Sequence, residues 1–186
     1  MYGMSPHTLY YTLMDFGVNL EDEELQNKYG AYSGHDLADT IYKRYFESYK
    51  GVKTLISTQK EKARKNGYVK TLLGRKIYLP DINSNDRGKR GYSERLATNG
   101  KIQGSGNDII TSAQIKVNES HKLKMLGVEQ LMQVHDELVI QVPSRNVDES
   151  IPIIKKLMEK PFLNEINLKV DLKVDYDVGE NYYICK

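Results

Sequence analysis

Gln133-Val134-His135-Asp136-Glu137-Leu138-Val139 is the stretch that decides how this chain is read. Three consecutive ionisable residues, His135, Asp136 and Glu137, sit among Leu131, Val134, Leu138, Val139, Ile140 and Val142. The flanks, 128–134 and 138–142, are rich in aliphatic and β-branched side chains and read as two strands. Two neighbouring carboxylates buried inside a strand would be costly, so the triplet belongs at a tight turn between the strands. Such a hairpin holds Asp136 and Glu137 out as a negatively charged tip. Hard oxygen ligands of this kind suit magnesium or manganese rather than zinc. For an isolated triplet, a polar turn without function is the plainer reading; the rest of the chain weighs against it.

A chain of 186 residues with 39% hydrophobic content can bury a core and would ordinarily make one domain. Its single cysteine, Cys185, excludes internal disulfides and offers no zinc cluster. No basic segment with an apolar run behind it opens the chain, and no stretch is long enough to span a bilayer. A soluble, cytoplasmic protein with no membrane partner is expected. The net charge of +2 conceals a division. Residues 43–95 hold 15 Lys and Arg against 5 Asp and Glu, a balance of +10, which leaves −8 for the remainder. A basic segment between acidic flanks is the asymmetry of a surface that faces a phosphate backbone. Excess lysine on a solvated helix face is the alternative, but Tyr, Asn and Gly interleave these charges.

Ser5-Pro6 is a helix start, with the hydroxyl as cap and proline at the first helical position. Leu9, Leu13 and Phe16 then keep helical spacing. Residues 17–34 read as an acidic loop in which Glu21-Asp22-Glu23-Glu24 begins a solvated helix. Residues 36–49 carry a broad amphipathic stripe of Leu37, Ile41 and Tyr45 beside Ala38, Tyr42, Phe46 and Tyr49. A second helix through Val52, Leu55 and Ile56 stops at Asn66-Gly67. Two short strands, 68–72 and 76–79, surround Leu73-Gly74-Arg75, and 80–85 is an irregular loop.

Residues 93–125 read as one long helix, with Ile109, Ile110, Ala113 and Val117 apolar and Gly127 as the stop. Arg95, Asn99 and Gln103 recur every four residues and project from one face. Gly100, Gly104 and Gly106 beside them cost about 1 kcal/mol each relative to alanine. That cost suggests close approach of another chain or ligand. Long hydrogen-bonding side chains on a bare ridge suit a duplex minor groove, where every base pair offers similar acceptors. Further on, Ile151, Ile153, Ile154, Leu157 and Met158 give a short helix with Ser150 as its cap and Pro152 in its first turn. Alternation of Leu168, Val170, Leu172, Val174, Tyr176 and Val178 predicts a half-buried strand able to pair with the hairpin. The class is α+β: an antiparallel sheet with packed helices, displaying the acidic turn.

With these elements placed, the chain resembles the C-terminal portion of a family A DNA polymerase, the bacterial polymerase I type. Tyr2-Gly3-Met4-Ser5 resembles the end of the family's fingers helix. Arg44-Tyr45-Phe46, Gly67-Tyr68-Val69 and Gly74-Arg75-Lys76-Ile77-Tyr78-Leu79-Pro80-Asp81 are similar to the segment after it. Glu94-Arg95, Asn99 and Gln103-Gly104 with Asp108 resemble the palm helix that touches the primer-template minor groove. Residues 133–139 resemble the third catalytic motif, the most specific of these matches.

The resemblance implies a helical fingers region over 1–66 and a palm region over 67–186. It implies that Asp136 ligates metal with Glu137 as a supporting carboxylate, and that His135 contacts the primer end. Arg95, Asn99 and Gln103 would bind template and primer, Arg75 the DNA backbone, and Tyr2 with Gly3 the incoming nucleotide. The implied reaction is attack of a primer 3′-hydroxyl on a deoxynucleoside triphosphate at two magnesium ions, with manganese as a substitute. The family's second catalytic aspartate comes from a motif before the fingers, and no stretch here corresponds to it. A split or truncated, phage-like polymerase is therefore expected, inactive alone and completed by an N-terminal polymerase polypeptide. Two rivals stand beside this: a non-catalytic primer-template-binding module derived from a palm, and a nuclease using the carboxylate pair.

Overall fold

Signals at residues 5–6 and 66–67 bracket the helical first part of the chain. In a computed structural model, which describes residues 4–162, 166 and 168–185, helix α1 runs Pro6–Asp15 with proline in its first turn. The Ser5 hydroxyl accepts from the Thr8 N–H at 3.1 Å, as a cap should. Phe16 ends this helix and is 81% exposed, so its helical spacing with Leu9 does not bring burial. Helix α2, Glu23–Tyr29, grows from the acidic run expected to begin a helix, inside a stretch otherwise read as loop. Asp22 caps it through the Leu25 N–H, and Gly30 ends it at φ +67°. Helix α3, Gly34–Ser48, and helix α4, Lys50–Asn66, meet at the single residue Tyr49. Gly67 at φ +75° stops α4, a conformation that costs glycine little. Strands β1, Tyr68–Lys70, and β2, Lys76–Tyr78, then pair antiparallel with Val69 opposite Ile77.

By contact, the chain divides into two units, 1–102 and 103–186. The first has two apolar clusters. Leu20, Ala31, Leu37 and Ala38 are buried where α1, α2 and α3 meet, with Tyr10, Leu13 and Ile41 against them. Ala63, Val69, Leu79, Ile82 and Ala97 form the other, joining α4, the β1–β2 pair and helix α5, Arg87–Glu119.

Helix α5 begins six residues before the expected start at Ser93. The Asp86 carboxylate accepts from the N–H of Gly88 at 2.7 Å and of Lys89 at 3.1 Å, and this cap outweighs the two glycines that follow. It also ends early: Ser120 separates it from helix α6, His121–Met125. The glycine prediction needs correction at Gly100. A β-carbon there would lie 3.3 Å from Ile77 Cδ1, so the close approach comes from β2 of this same chain. At Gly106 a β-carbon would meet nothing within 4 Å.

In the second unit, Ile110, Ala113, Val117 and Leu123 are buried. Strands β3, Glu129–Val134, and β4, Glu137–Gln141, form the expected hairpin. Gln130 Nε2 donates to the Gln114 carbonyl at 2.8 Å, tying β3 to α5. After a 3₁₀ turn, Ser144–Asn146, helix α7 spans Val147–Glu159. Ser150 is therefore no cap. It lies inside α7, fully buried, because the helix starts upstream with Asp148 and Glu149 in its first turn. Pro152 is likewise inside the helix rather than in its first turn. The expected strand over 168–178 does not form among the described residues. Val174 N–H donates to Glu159 Oε1 at 3.3 Å instead of to a ladder carbonyl. The α+β class holds: helices with two antiparallel strand pairs among the described residues.

Candidate active-site tip and nucleic-acid interface

The last pair of the hairpin is Val134 opposite Glu137, which leaves His135 and Asp136 as a two-residue loop. So tight a reversal needs positive φ at a central position. His135 supplies it at φ +54°, the one such non-glycine among the described residues. A left-handed residue with a β-carbon is strained, and the neighbourhood must hold it there. Gln133 Nε2 does part of this by donating to the His135 carbonyl at 2.8 Å. A bulge lies farther down β3, where Leu131 is the extra residue between the Gln130–Ile140 and Met132–Val139 pairs. Bulges of this sort bend and twist a hairpin and re-aim what it carries.

His135, Asp136 and Glu137 are all exposed at this tip. Neither carboxylate is hydrogen-bonded or ion-paired to a described residue, so both are available to a cation. Among the described residues no three His, Cys, Asp or Glu side chains are grouped to hold a metal. Magnesium is commonly bound by one or two carboxylates with water and substrate phosphates completing its shell. The donor set at the tip suits part of such a site.

Helix α5 carries the polar ridge without a break, with Arg95, Asn99 and Gln103 at intervals of four. Arg95 and Gln103 are exposed and Asn99 is half-buried. Asn99 Oδ1 is occluded and has no hydrogen-bond partner among the described residues. The amide NH₂ is then what this side chain can offer outward, and it is a donor, as minor-groove acceptors require. Arg75 is exposed at the β1–β2 turn, where its N–H donates to Thr71 Oγ1 at 3.2 Å and its carbonyl accepts from Thr71 N–H at 3.0 Å. Tyr2 and Gly3 lie outside the described residues.

Sequence reading passed over the role of Glu94. It accepts from Arg64 Nη2 at 2.7 Å and Lys60 Nζ at 3.2 Å, fastening α4 to α5 one residue before Arg95. Burial pushes its carboxyl up, but the hydrogen bonds from Arg64 and Lys60 outweigh this and hold it below the usual range. Lys60 and Arg64, four residues apart, share one face of the basic helix, but nothing local names their partner. Nothing local in the sequence announces that the Gln133 side chain braces the turn.

The family model described as DNA polymerase family A matches residues 2–184. DNA polymerase I of Bacillus caldotenax is 41% identical over 149 residues, covering 80% of this chain and 16% of the relative. The thermostable DNA polymerase I of Thermus filiformis is 34% identical over 186 residues, covering 100% of this chain and 19% of the relative. The POL domain of Pol1 from M. smegmatis, solved with DNA primer-template and dNTP, superposes with a TM-score of 0.69 at 31% identity. That match covers 88% of this chain and 27% of the other. The chain thus spans less than a fifth of the length of these curated relatives.

Proposed function

The chain belongs to DNA polymerase family A, and from that premise we propose that it forms part of a template-directed DNA polymerase, adding deoxynucleotides to a primer 3′ end. The observation that carries this reading is the hairpin tip: a strained two-residue turn presenting Asp136 and then Glu137, exposed and unpaired. On this reading residues 1–66 belong to the fingers and 67–186 to the palm. Primer-template DNA and deoxynucleoside triphosphates are the substrates.

Asp136 would hold a divalent ion, magnesium or manganese, with Glu137 supporting it. Bound there, two such ions would polarise the phosphoryl oxygens and lower the pKa of the primer hydroxyl. The chain's own residues do the positioning. His135, held by Gln133, meets the primer end. Arg95, Asn99 and Gln103 donate to minor-groove acceptors common to all base pairs, which fixes the duplex without reading its sequence. Arg75 meets the DNA backbone, and Tyr2 and Gly3 the incoming nucleotide. A second carboxylate must join Asp136 for two ions to be held, and no group of three or more His, Cys, Asp or Glu that could hold one is found among the described residues. On this reading another polymerase segment supplies that carboxylate, and the chain alone should not extend a primer. No described helix is long and apolar enough to cross a membrane, and a cytoplasmic location is part of this reading.

Primer extension tests it. The chain is combined with the polymerase segment that carries the missing aspartate, and single-nucleotide incorporation is followed with magnesium. Asp136→Asn should abolish incorporation while leaving primer-template affinity within about twofold, since minor-groove contacts are separate from the metal ligand. Full binding without extension by the wild-type pair would mean a DNA-binding module and not a polymerase.

A further inference from the structure

Within the first unit, a cavity of about 260 Å³ opens between the C-terminal half of α4, β1 and α5. Its lining includes Gln59, Lys62, Asn66, Tyr68, Lys70 and Lys101, and no carboxylate. Gln59, Lys62 and Asn66 are spaced i, i+3 and i+7 along α4, so one helix face meets the space. Lys101 Nζ donates to the Lys70 carbonyl at 3.2 Å, which anchors that ammonium beside β1. Lys62 and Lys70 make no ion pair with a described residue, and Glu94 is committed to Lys60 and Arg64. The carbonyls that end α4 near Asn66 offset part of this positive charge.

Gln59 gives the second, independent indication. It is 5% exposed, it lines the cavity, and its side-chain amide is hydrogen-bonded to no described residue. The amide itself is not occluded, since neither of its polar atoms is among the buried ones that lack a partner, so its free hydrogen-bonding capacity faces the cavity. A cavity lined by this amide and by lysine ammonium groups is complementary to a small, multivalent oxyanion. Pockets for whole drug-sized ligands run from about 300 to 1,000 Å³. This one lies near the lower end of that range, a size that suits a single phosphate with its hydration or its sugar.

We propose that this cavity is a phosphate-binding subsite, filled by a phosphodiester of a nucleic-acid strand or by a free phosphate. It shares no residue with the carboxylate tip and requires neither Asp136 nor a metal. The test uses the isotopically labelled full chain, followed by amide chemical shifts. It is titrated with inorganic phosphate and, separately, with a thymidylate dodecamer, against sodium chloride at matched ionic strength. Resonances of Gln59, Lys62, Lys70 and Lys101 should move together. Lys62→Glu and Lys70→Glu should each weaken binding about fivefold to tenfold, and flatten the salt dependence by about one unit. Lys53→Glu, exposed on the same helix but outside the cavity, should do neither. Movement with the dodecamer alone assigns the site to a strand, and movement with phosphate alone to a free phosphate. Failure of both ligands to move these four residues, or an equal loss in Lys53→Glu, overturns the proposal. Either result leaves the primer-extension outcome untouched.

Discussion

Glu94→Gln should destabilise the chain near neutral pH and change it little in acid. The carboxylate meets Arg64 at 2.7 Å and Lys60 at 3.2 Å, with side chains 19%, 48% and 31% exposed for Glu94, Arg64 and Lys60. Fully exposed pairs contribute about 0.2–1 kcal/mol, and hydrogen bonds to charged groups about 1.5–3 kcal/mol. Partial exposure of both cations places this pair of contacts between those ranges, at about 1–2 kcal/mol, or about 2–8 °C in Tm for a chain of this size. The pH dependence follows from the direction of the shift. Glu94 is held below its ordinary value because Arg64 and Lys60 outweigh the effect of burial. A carboxyl depressed in the folded state stabilises fully above its unfolded value, about 4.3, and that stability is lost as pH falls through the folded value. Urea unfolding of wild type and variant, followed by circular dichroism at pH 7 and pH 3, should show the full gap at pH 7 and a much smaller one at pH 3. An equal gap at both would mean that Glu94 acts through shape alone and refute the electrostatic reasoning.

The two ridge glycines should respond oppositely. Gly106→Ala, with open space around the new methyl, should raise stability by about 0.5–1 kcal/mol, whereas Gly100→Val, pressed against Ile77, should lower it by about 1–3 kcal/mol, both read from urea midpoints. His135→Gly should relieve the left-handed strain, raising Tm by an amount equivalent to about 0.5–1 kcal/mol, while slowing nucleotide incorporation in the complemented extension assay. Ser150→Ala should be neutral or stabilising by up to about 1 kcal/mol in chemical denaturation, because the Ser150 hydroxyl is buried with no partner among the described residues.

What could be read from the sequence was what depends on near neighbours. Ser5-Pro6 and Asn66-Gly67 carry their own backbone instructions; the first started a helix and the second ended one where expected. The hairpin was legible because aliphatic runs on both sides of three ionisable residues leave only one place for the turn. Helix α2 was legible only at its acidic start, Glu21-Asp22-Glu23-Glu24; its length to the Gly30 stop was not, because no clear apolar period follows that turn. Ser150 misled for a related reason: a serine before aliphatic residues looks like a cap, but the helix had already begun at Val147. Alternation over 168–178 reports two faces and says nothing of a neighbouring backbone. Without one in the described residues, Val170, Tyr176 and Val178 stay exposed. At the candidate site, residue identities were visible and their supports were not. Glu94 with Arg64, 30 positions apart, is a contact no local pattern encodes.

The tip is where local stability and the sequence part company. A two-residue hairpin loop is best served by Asn-Gly, whose residues enter positive φ at little cost. Here His135 takes φ +54°, at a cost of about 1–2 kcal/mol, and two like charges follow it. The Gln133 hydrogen bond returns about 0.5–1.5 kcal/mol at most, and no described cation neutralises Asp136 or Glu137. A residue choice that only had to close the hairpin would avoid all three. Stability is given up at the tip, as is expected where a chain must present chemistry. A divalent ion placed between Asp136 and a further carboxylate would remove the like-charge repulsion and give the strained turn its purpose. Hairpin stability should then rise with magnesium only when the complementary polymerase segment is present.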